Sequence, residues 1–128
     1  MANILVCDDE RSICEMLDIS LRREGHRVET VQAGQTAKNK IDGALYDVII
    51  TDIKMPVMTG TEMIRELRND AWGKSAKVVV LTNFSDMDVL QEVLKQGALC
   101  IVKGDMKMEE IVGQVDELLN KKPVNPLL

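Results

Sequence analysis

The chain has 128 residues, 45% of them hydrophobic and 29% charged, which suits one compact domain and leaves little room for a second. Its net charge of −5 argues against direct nucleic-acid binding, which needs clustered Lys and Arg. Aromatics are only 2%, so the core has to be built from Val, Ile, Leu, Met and Ala.

Met1-Ala2-Asn3 lacks the charged start of a targeting signal, and the apolar run behind it is too short for one. That run, Ile4 to Cys7, reads as a first strand. It is brief, rich in branched residues and without alternation, the pattern of a strand covered on both faces in a parallel sheet. A helix follows, with Ile13, Met16, Leu17, Ser20 and Leu21 on one face and Gly25 at its C-terminal cap. Val28 to Val31 is a weaker strand whose imperfect alternation places it near an edge. Thr36 to Ile41 makes a poorer helix, anchored by Ala37 and Ile41 and capped by Gly43. Val48 to Thr51 is the third strand. Thr59-Gly60-Thr61-Glu62 then fits a capping box for a helix that buries Met63, Ile64 and Leu67.

Val78 to Leu81 is the fourth strand, and Ser85-Asp86-Met87-Asp88 a looser helix start. Val89, Leu90, Val93 and Leu94 share the face of the helix it opens, which ends at Gly97. Leu99 to Val102 is the fifth strand, and a last helix aligns Ile111, Val112, Val115, Leu118 and Leu119. The domain therefore spans 1–120; residues 121–128, with two prolines, read as a flexible tail or the start of a linker. Five strands alternating with helices give an α/β, doubly wound parallel sheet with helices on both faces.

Cys7, Cys14 and Cys100 lack C-x-x-C spacing and lie among apolar residues, as reduced thiols of a cytoplasmic protein do. The single histidine, His26, is distant from all three, which argues against zinc. No apolar stretch approaches the roughly 20 residues of a membrane span.

In such folds the chemistry lies beyond the carboxyl ends of the strands. The first strand ends on Asp8, Asp9 and Glu10, the third on Asp52 and then Lys54, the fourth on Thr82 and Asn83, the fifth on Lys103. Alone, each has an ordinary explanation: an Asp pair as a turn or helix cap, Asp52 as an Asx turn, Thr82 as a backbone-bonded hydroxyl, Lys103 as a solvated charge. Together on one sheet edge they make a polar site against otherwise apolar strands. Clustered carboxylates repel one another, and a hard divalent cation, Mg²⁺ or Mn²⁺, relieves that repulsion. With an ammonium and a hydroxyl beside it, the set suits phosphoryl transfer, and a carboxylate can be the nucleophile. Neither G-x-x-x-x-G-K nor G-x-G-x-x-G is present, so the donor is expected to be a phosphoprotein or small phosphodonor instead of bound ATP.

Ile4-Leu5-Val6-Cys7-Asp8-Asp9-Glu10, Asp52-Ile53-Lys54-Met55-Pro56-Val57-Met58-Thr59-Gly60, Val80-Leu81-Thr82 and Lys103 resemble the receiver domain of bacterial two-component response regulators. The resemblance runs from Asn3 to about Asn120. It implies a flavodoxin-like (βα)5 fold with strand order 2-1-3-4-5. It also implies a domain that is not a turnover enzyme, phosphorylated with Mg²⁺ on Asp52 by a sensor histidine kinase or phosphotransfer protein. Asp9, Asp52 and the backbone carbonyl of Lys54 would bind the metal directly, and Asp8 through water. Thr82 would be the switch hydroxyl and Lys103 the phosphoryl partner, with Lys54, Asn83, Phe84, Cys100 and Gly104 modulating.

Three positions depart from the family pattern. Gly104 stands where a cis proline usually follows the lysine; a cis bond without proline costs about 3 kcal/mol, so a trans bond and a looser loop are expected. Cys100 stands where an aromatic usually completes the switch, and Asn83 is larger than the usual residue after the threonine. The output surface is therefore expected to be helix 86–96, strand 99–102 and helix 108–120, moved through the Thr82 loop. An alternative is a degenerate receiver that binds partners without phosphorylation. A flavodoxin-like flavin binder lacks its phosphate loop and aromatics here, and an aspartate-nucleophile phosphatase would want an acid where Lys54 stands.

Overall fold

A computed structural model describes residues 2–43, 45–53, 59–68, 76–82, 87–104 and 106–120. Five strands alternate with five helices: β1 (Asn3–Cys7), α1 (Arg11–Arg23), β2 (Arg27–Val31), α2 (Gly34–Gly43), β3 (Val48–Thr51), α3 (Gly60–Leu67), β4 (Lys77–Thr82), α4 (Met87–Lys95), β5 (Leu99–Val102) and α5 (Met108–Asn120). The strands form one sheet in the order β2-β1-β3-β4-β5, and every pair is parallel. The weak second strand is an edge, as expected, and the apolar strands β1, β3 and β4 are central, with helices over both faces. The apolar run Leu99–Val102 departs from that expectation, since β5 is the other edge and only Ile101 in it is fully buried.

Alternation divides the strand side chains between two cores. Leu5, Cys7, Ile49, Val78 and Val80 pack with Ala37, Ile41, Met63, Ile64, Leu67 and Val93 from α2, α3 and α4. Ile4, Val6, Val48, Ile50, Val79 and Leu81 pack with Cys14, Leu17 and Leu21 of α1 and Ile111, Val112 and Val115 of α5. Two expected anchors face water: Met16 is 49% and Leu94 54% exposed. In α1 the inward stripe is Cys14, Leu17 and Leu21, which at about 100° per residue lies on the side away from Met16. Helix α2 runs beyond the expected 36–41, from Gly34 to Gly43. The capping box of α3 forms, with Thr59 Oγ1 accepting from Glu62 N–H at 3.2 Å. Gly25 and Gly97 follow their helices with φ of +89° and +82°, the left-handed cap that glycine adopts at least cost. The expected helix start at Ser85-Asp86, the expected modulating residues Asn83 and Phe84, the expected ligand Lys54 and the expected tail 121–128 lie outside the described residues.

Polar ties hold the end of the sheet opposite the strand termini. Lys77 Nζ, at the start of β4, donates to the carbonyls of Leu118 and Leu119 at 2.9 and 3.4 Å. The last turn of α5 has no basic residue of its own, so Lys77 complements its dipole from outside. His26 Nδ1 accepts from Ala2 N–H at 3.2 Å, which leaves Nε2–H to donate to Asp116 at 2.8 Å. Arg68 at the end of α3 donates to Gln96 O and Ala76 O at 2.9 and 2.7 Å.

Candidate functional site

The strand register decides what meets at the carboxyl edge. Cys7 pairs with Thr51, Thr51 with Val80, and Thr82 with Val102. Asp8 and Asp52 therefore leave the sheet side by side, while β4 and β5 run on past that level to Thr82 and Val102. Asp8 and Asp52 follow β1 and β3, Thr82 closes β4, and Lys103 follows β5.

Lys103 Nζ lies 2.7 Å from Asp8 Oδ2, 3.1 Å from Asp52 Oδ2 and 3.2 Å from Glu10 Oε1. Its side chain is 7% exposed, those of Asp8 and Asp52 are 3% and 8%, and that of Glu10 is 47%. Backbone donors orient both aspartates: Glu10 N–H reaches Asp8 Oδ1 at 2.9 Å, and Ile53 N–H reaches Asp52 Oδ1 at 2.7 Å. The Lys103 N–H donates to Thr82 O at 2.7 Å, so the backbones of the lysine and the buried threonine are joined. Gly104 follows through a trans bond, as expected, with φ +91°, a conformation closed to proline.

Burial pushes the Asp8 carboxyl above the usual aspartate range, although Lys103 and the Glu10 amide pull it down. Burial also pulls the Lys103 amine down, but the bonds and charges of Asp8 and Asp52 outweigh that and hold it above the ordinary lysine value. The lysine is thus a permanent cation, while one of its partners is strained by its own charge. Burial pushes the Cys7 thiol up to about 12 and raises Cys14 and Cys100. These are protonated core thiols, and none of the three forms a disulfide.

One oxygen each from Asp8, Glu10 and Asp52 lies within 4.8 Å of the others. An all-oxygen trio of this kind fits Mg²⁺ or Mn²⁺, and the ammonium among them shows that the pocket takes positive charge. Asp9 is exposed and does not belong to that trio. Glu10 does; the sequence placed it at the edge but assigned it no task, because spacing alone does not reveal which of three consecutive acids turns inward. Cys100 packs, half-buried, on the α4 side of the sheet, the face that Thr82 shares by alternation with Val80.

Among the described residues no helix is long and apolar enough to cross a membrane. The family pattern of the response regulator receiver domain matches residues 4–116. The transcriptional regulatory protein ZraR of Klebsiella oxytoca is 36% identical over 97 residues, 76% of this chain and 21% of that one. Response regulator ArlR of Staphylococcus aureus is 27% identical over 128 residues, all of this chain and 57% of that one. The chain thus spans about half the length of one of these relatives and a fifth of the other. Among solved structures, chemotaxis response regulator CheY4 of Vibrio cholerae superposes with a TM-score of 0.84 at 34% identity, covering 92% of this chain and 98% of that one. Response regulator TrrA of Thermotoga maritima, in complex with Mg²⁺ and BeF, has a TM-score of 0.80 at 33% identity, covering 92% and 99%. A family match across nearly the whole sheet, with the strand order and the acidic edge described above, shows that this chain belongs to the response regulator receiver domains.

Proposed function

We propose that the domain accepts a phosphoryl group on Asp52 with Mg²⁺ or Mn²⁺ bound, and signals by a change of loop conformation. The observation that carries this reading is the Lys103 ammonium held between two nearly sealed aspartates at the strand ends. A carboxylate oxygen of Asp52 attacks phosphorus, and the bond from phosphorus to the donor breaks. The donor, a phosphohistidine imidazole or acetate from acetyl phosphate, leaves with the bonding electrons, and an acyl phosphate remains. A bound dication would neutralise charge on the transferring oxygens. Asp9 and Asp52 would hold it with the Lys54 carbonyl, and Asp8 through water; exposed Asp9 is the group a hydrated ion meets first. The binding of Mg²⁺ and BeF by TrrA, a relative of the same fold, supports this.

Lys103 then turns from the aspartates to the phosphoryl oxygens, and the Thr82 hydroxyl donates to another, a charge-assisted bond stronger than a neutral one. The domain catalyses its own phosphorylation and dephosphorylation and turns over no other substrate. A sensor histidine kinase or phosphotransfer protein supplies the group in the cytoplasm, without direct nucleic-acid contact by this domain. Output leaves through α4, β5 and α5, where Met87 and Leu94 are exposed. Acetyl phosphate with Mg²⁺ should add one hydroxylamine-labile group to the protein and none to Asp52→Asn. Stable modification of a Ser or Thr would sink this mechanism.

A further inference from the structure

We infer that Glu10 is a positioning residue that holds the Lys103 ammonium at the mouth of the site while a divalent cation occupies the aspartates. The inference rests on the phosphoacceptor reading above. Lys103 has three carboxylate partners at nearly equal distances, but they differ in kind. Asp8 and Asp52 are buried and lie where the cation is expected. Glu10 is half exposed and, although one of its oxygens lies within 4.8 Å of theirs, is not among the expected metal ligands. A dication against Asp8 and Asp52 repels the ammonium, which has to leave. Among the described residues, Glu10 is the only other carboxylate paired with it.

A second observation is independent of that pair. Glu10 is the N-cap residue of α1, at φ −85° and ψ 105°, yet its side chain makes no capping hydrogen bond. The first turn of α1 also carries no acidic residue, so no side chain of that turn complements the positive end of its dipole. Ser, Asp or Asn at an N-cap accepts from the exposed amides of the first turn. Glu10 instead directs its carboxylate across to Lys103, 93 residues away. Helix stability is given up at the position where a carboxylate can reach the lysine. The Glu10 amide meanwhile bonds Asp8 Oδ1, so one residue braces the buried acid with its backbone and the mobile cation with its side chain. Released from the aspartates, the ammonium remains a short swing from Asp52, ready for the incoming phosphoryl oxygens.

The test compares the native domain with Glu10→Gln, Glu10→Asp and Glu10→Ser. The Lys103 ammonium is followed by NMR during Mg²⁺ titration, its signal assigned by its loss in Lys103→Arg. In the Mg²⁺-saturated native domain the signal should stay protected from exchange. In Glu10→Gln it should exchange severalfold faster, and phosphorylation by acetyl phosphate at saturating Mg²⁺ should slow about twofold to fivefold. Glu10→Asp, which keeps the charge, should recover part of both. Glu10→Ser should match Glu10→Gln in these readouts yet melt a few degrees higher, since it gains a cap. A Lys103 signal as protected in Mg²⁺-saturated Glu10→Gln as in the native domain overturns the inference, as do identical Gln and Asp variants. A native domain that neither responds to Mg²⁺ nor takes a phosphoryl group overturns the phosphoacceptor reading as well.

Discussion

Removing the Lys103 side chain should show how strongly its charge supports the fold. Lys103→Ala leaves Asp8 and Asp52, with side chains 3% and 8% exposed, facing each other without a counter-charge. Deleting one partner of a buried ion pair costs about 3–5 kcal/mol, a large share of a domain stability of roughly 5–15 kcal/mol. The lower end applies here, because Asp8 already sits above the usual aspartate range and can escape by taking a proton. We therefore expect a loss of about 3 kcal/mol at pH 7.5, or roughly 10 °C in melting midpoint. The pH dependence has a defined sign. A carboxyl raised in the folded state favours folding in its protonated form, and that contribution is lost as pH rises through the folded value. Without Lys103 the folded value of Asp8 rises further, so the deficit of the variant should shrink on acidification toward the unfolded aspartate value near 3.9.

Urea unfolding of both proteins at pH 7.5 and pH 5 measures this directly. Mg²⁺ supplies a second check, since a bound cation replaces the missing charge. At ten times its dissociation constant it should return about 1.4 kcal/mol. A deficit under about 1 kcal/mol at pH 7.5 would refute the reasoning. So would a deficit that neither acid nor Mg²⁺ narrows.

Asp8→Asn should raise the melting midpoint at pH 7, because ionised Asp8 is held at a cost; calorimetry should show the gain fading as pH falls toward about 3.9. Lys77→Met removes the donor to the Leu118 and Leu119 carbonyls and should lose about 1–3 kcal/mol, with hydrogen exchange accelerated in the last turn of α5. At Gly104 an added Cβ meets nothing within 4 Å, so Gly104→Ala should cost only the backbone strain of φ +91°, about 1–2 kcal/mol. Gly104→Pro should cost more and displace Lys103, read as a weaker amide-shift response to beryllofluoride. Thr82→Ala should keep Mg²⁺ binding but lose most beryllofluoride shifts along α4; shifts that persist would place the signal on another surface.

The three central strands and their polar ends were legible because a strand covered on both faces has to be apolar along its length. A charge where the run stops then has to lie at the sheet edge. The weakness of Val28 to Val31 likewise marked an edge before any pairing was known. Helix faces were less legible. In α1 the inward stripe centres on Cys14, Leu17 and Leu21, a thiol at helical spacing that the aliphatic pattern passed over, whereas Met16 lies on the outer side. Leu94 fits the periodicity of α4 but is 54% exposed, while Val93 beside it takes the buried position.

The sequence by itself determined the fold class, the parallel sheet and the group of acids, hydroxyl and lysine at its carboxyl edge, since these follow from local pattern and chain direction. Only the tertiary structure decided which acid faces which cation. Asp8, Asp9 and Glu10 are consecutive and chemically alike, and their spacing does not distinguish them. The register of β1 against β3 and the start of α1 bury the first, expose the second and bring the third to Lys103. The ties of Lys77 to α5 and of His26 to Asp116 were equally hidden. Each joins residues 41 or more positions apart, and such contacts exist only once the helices have packed against the sheet.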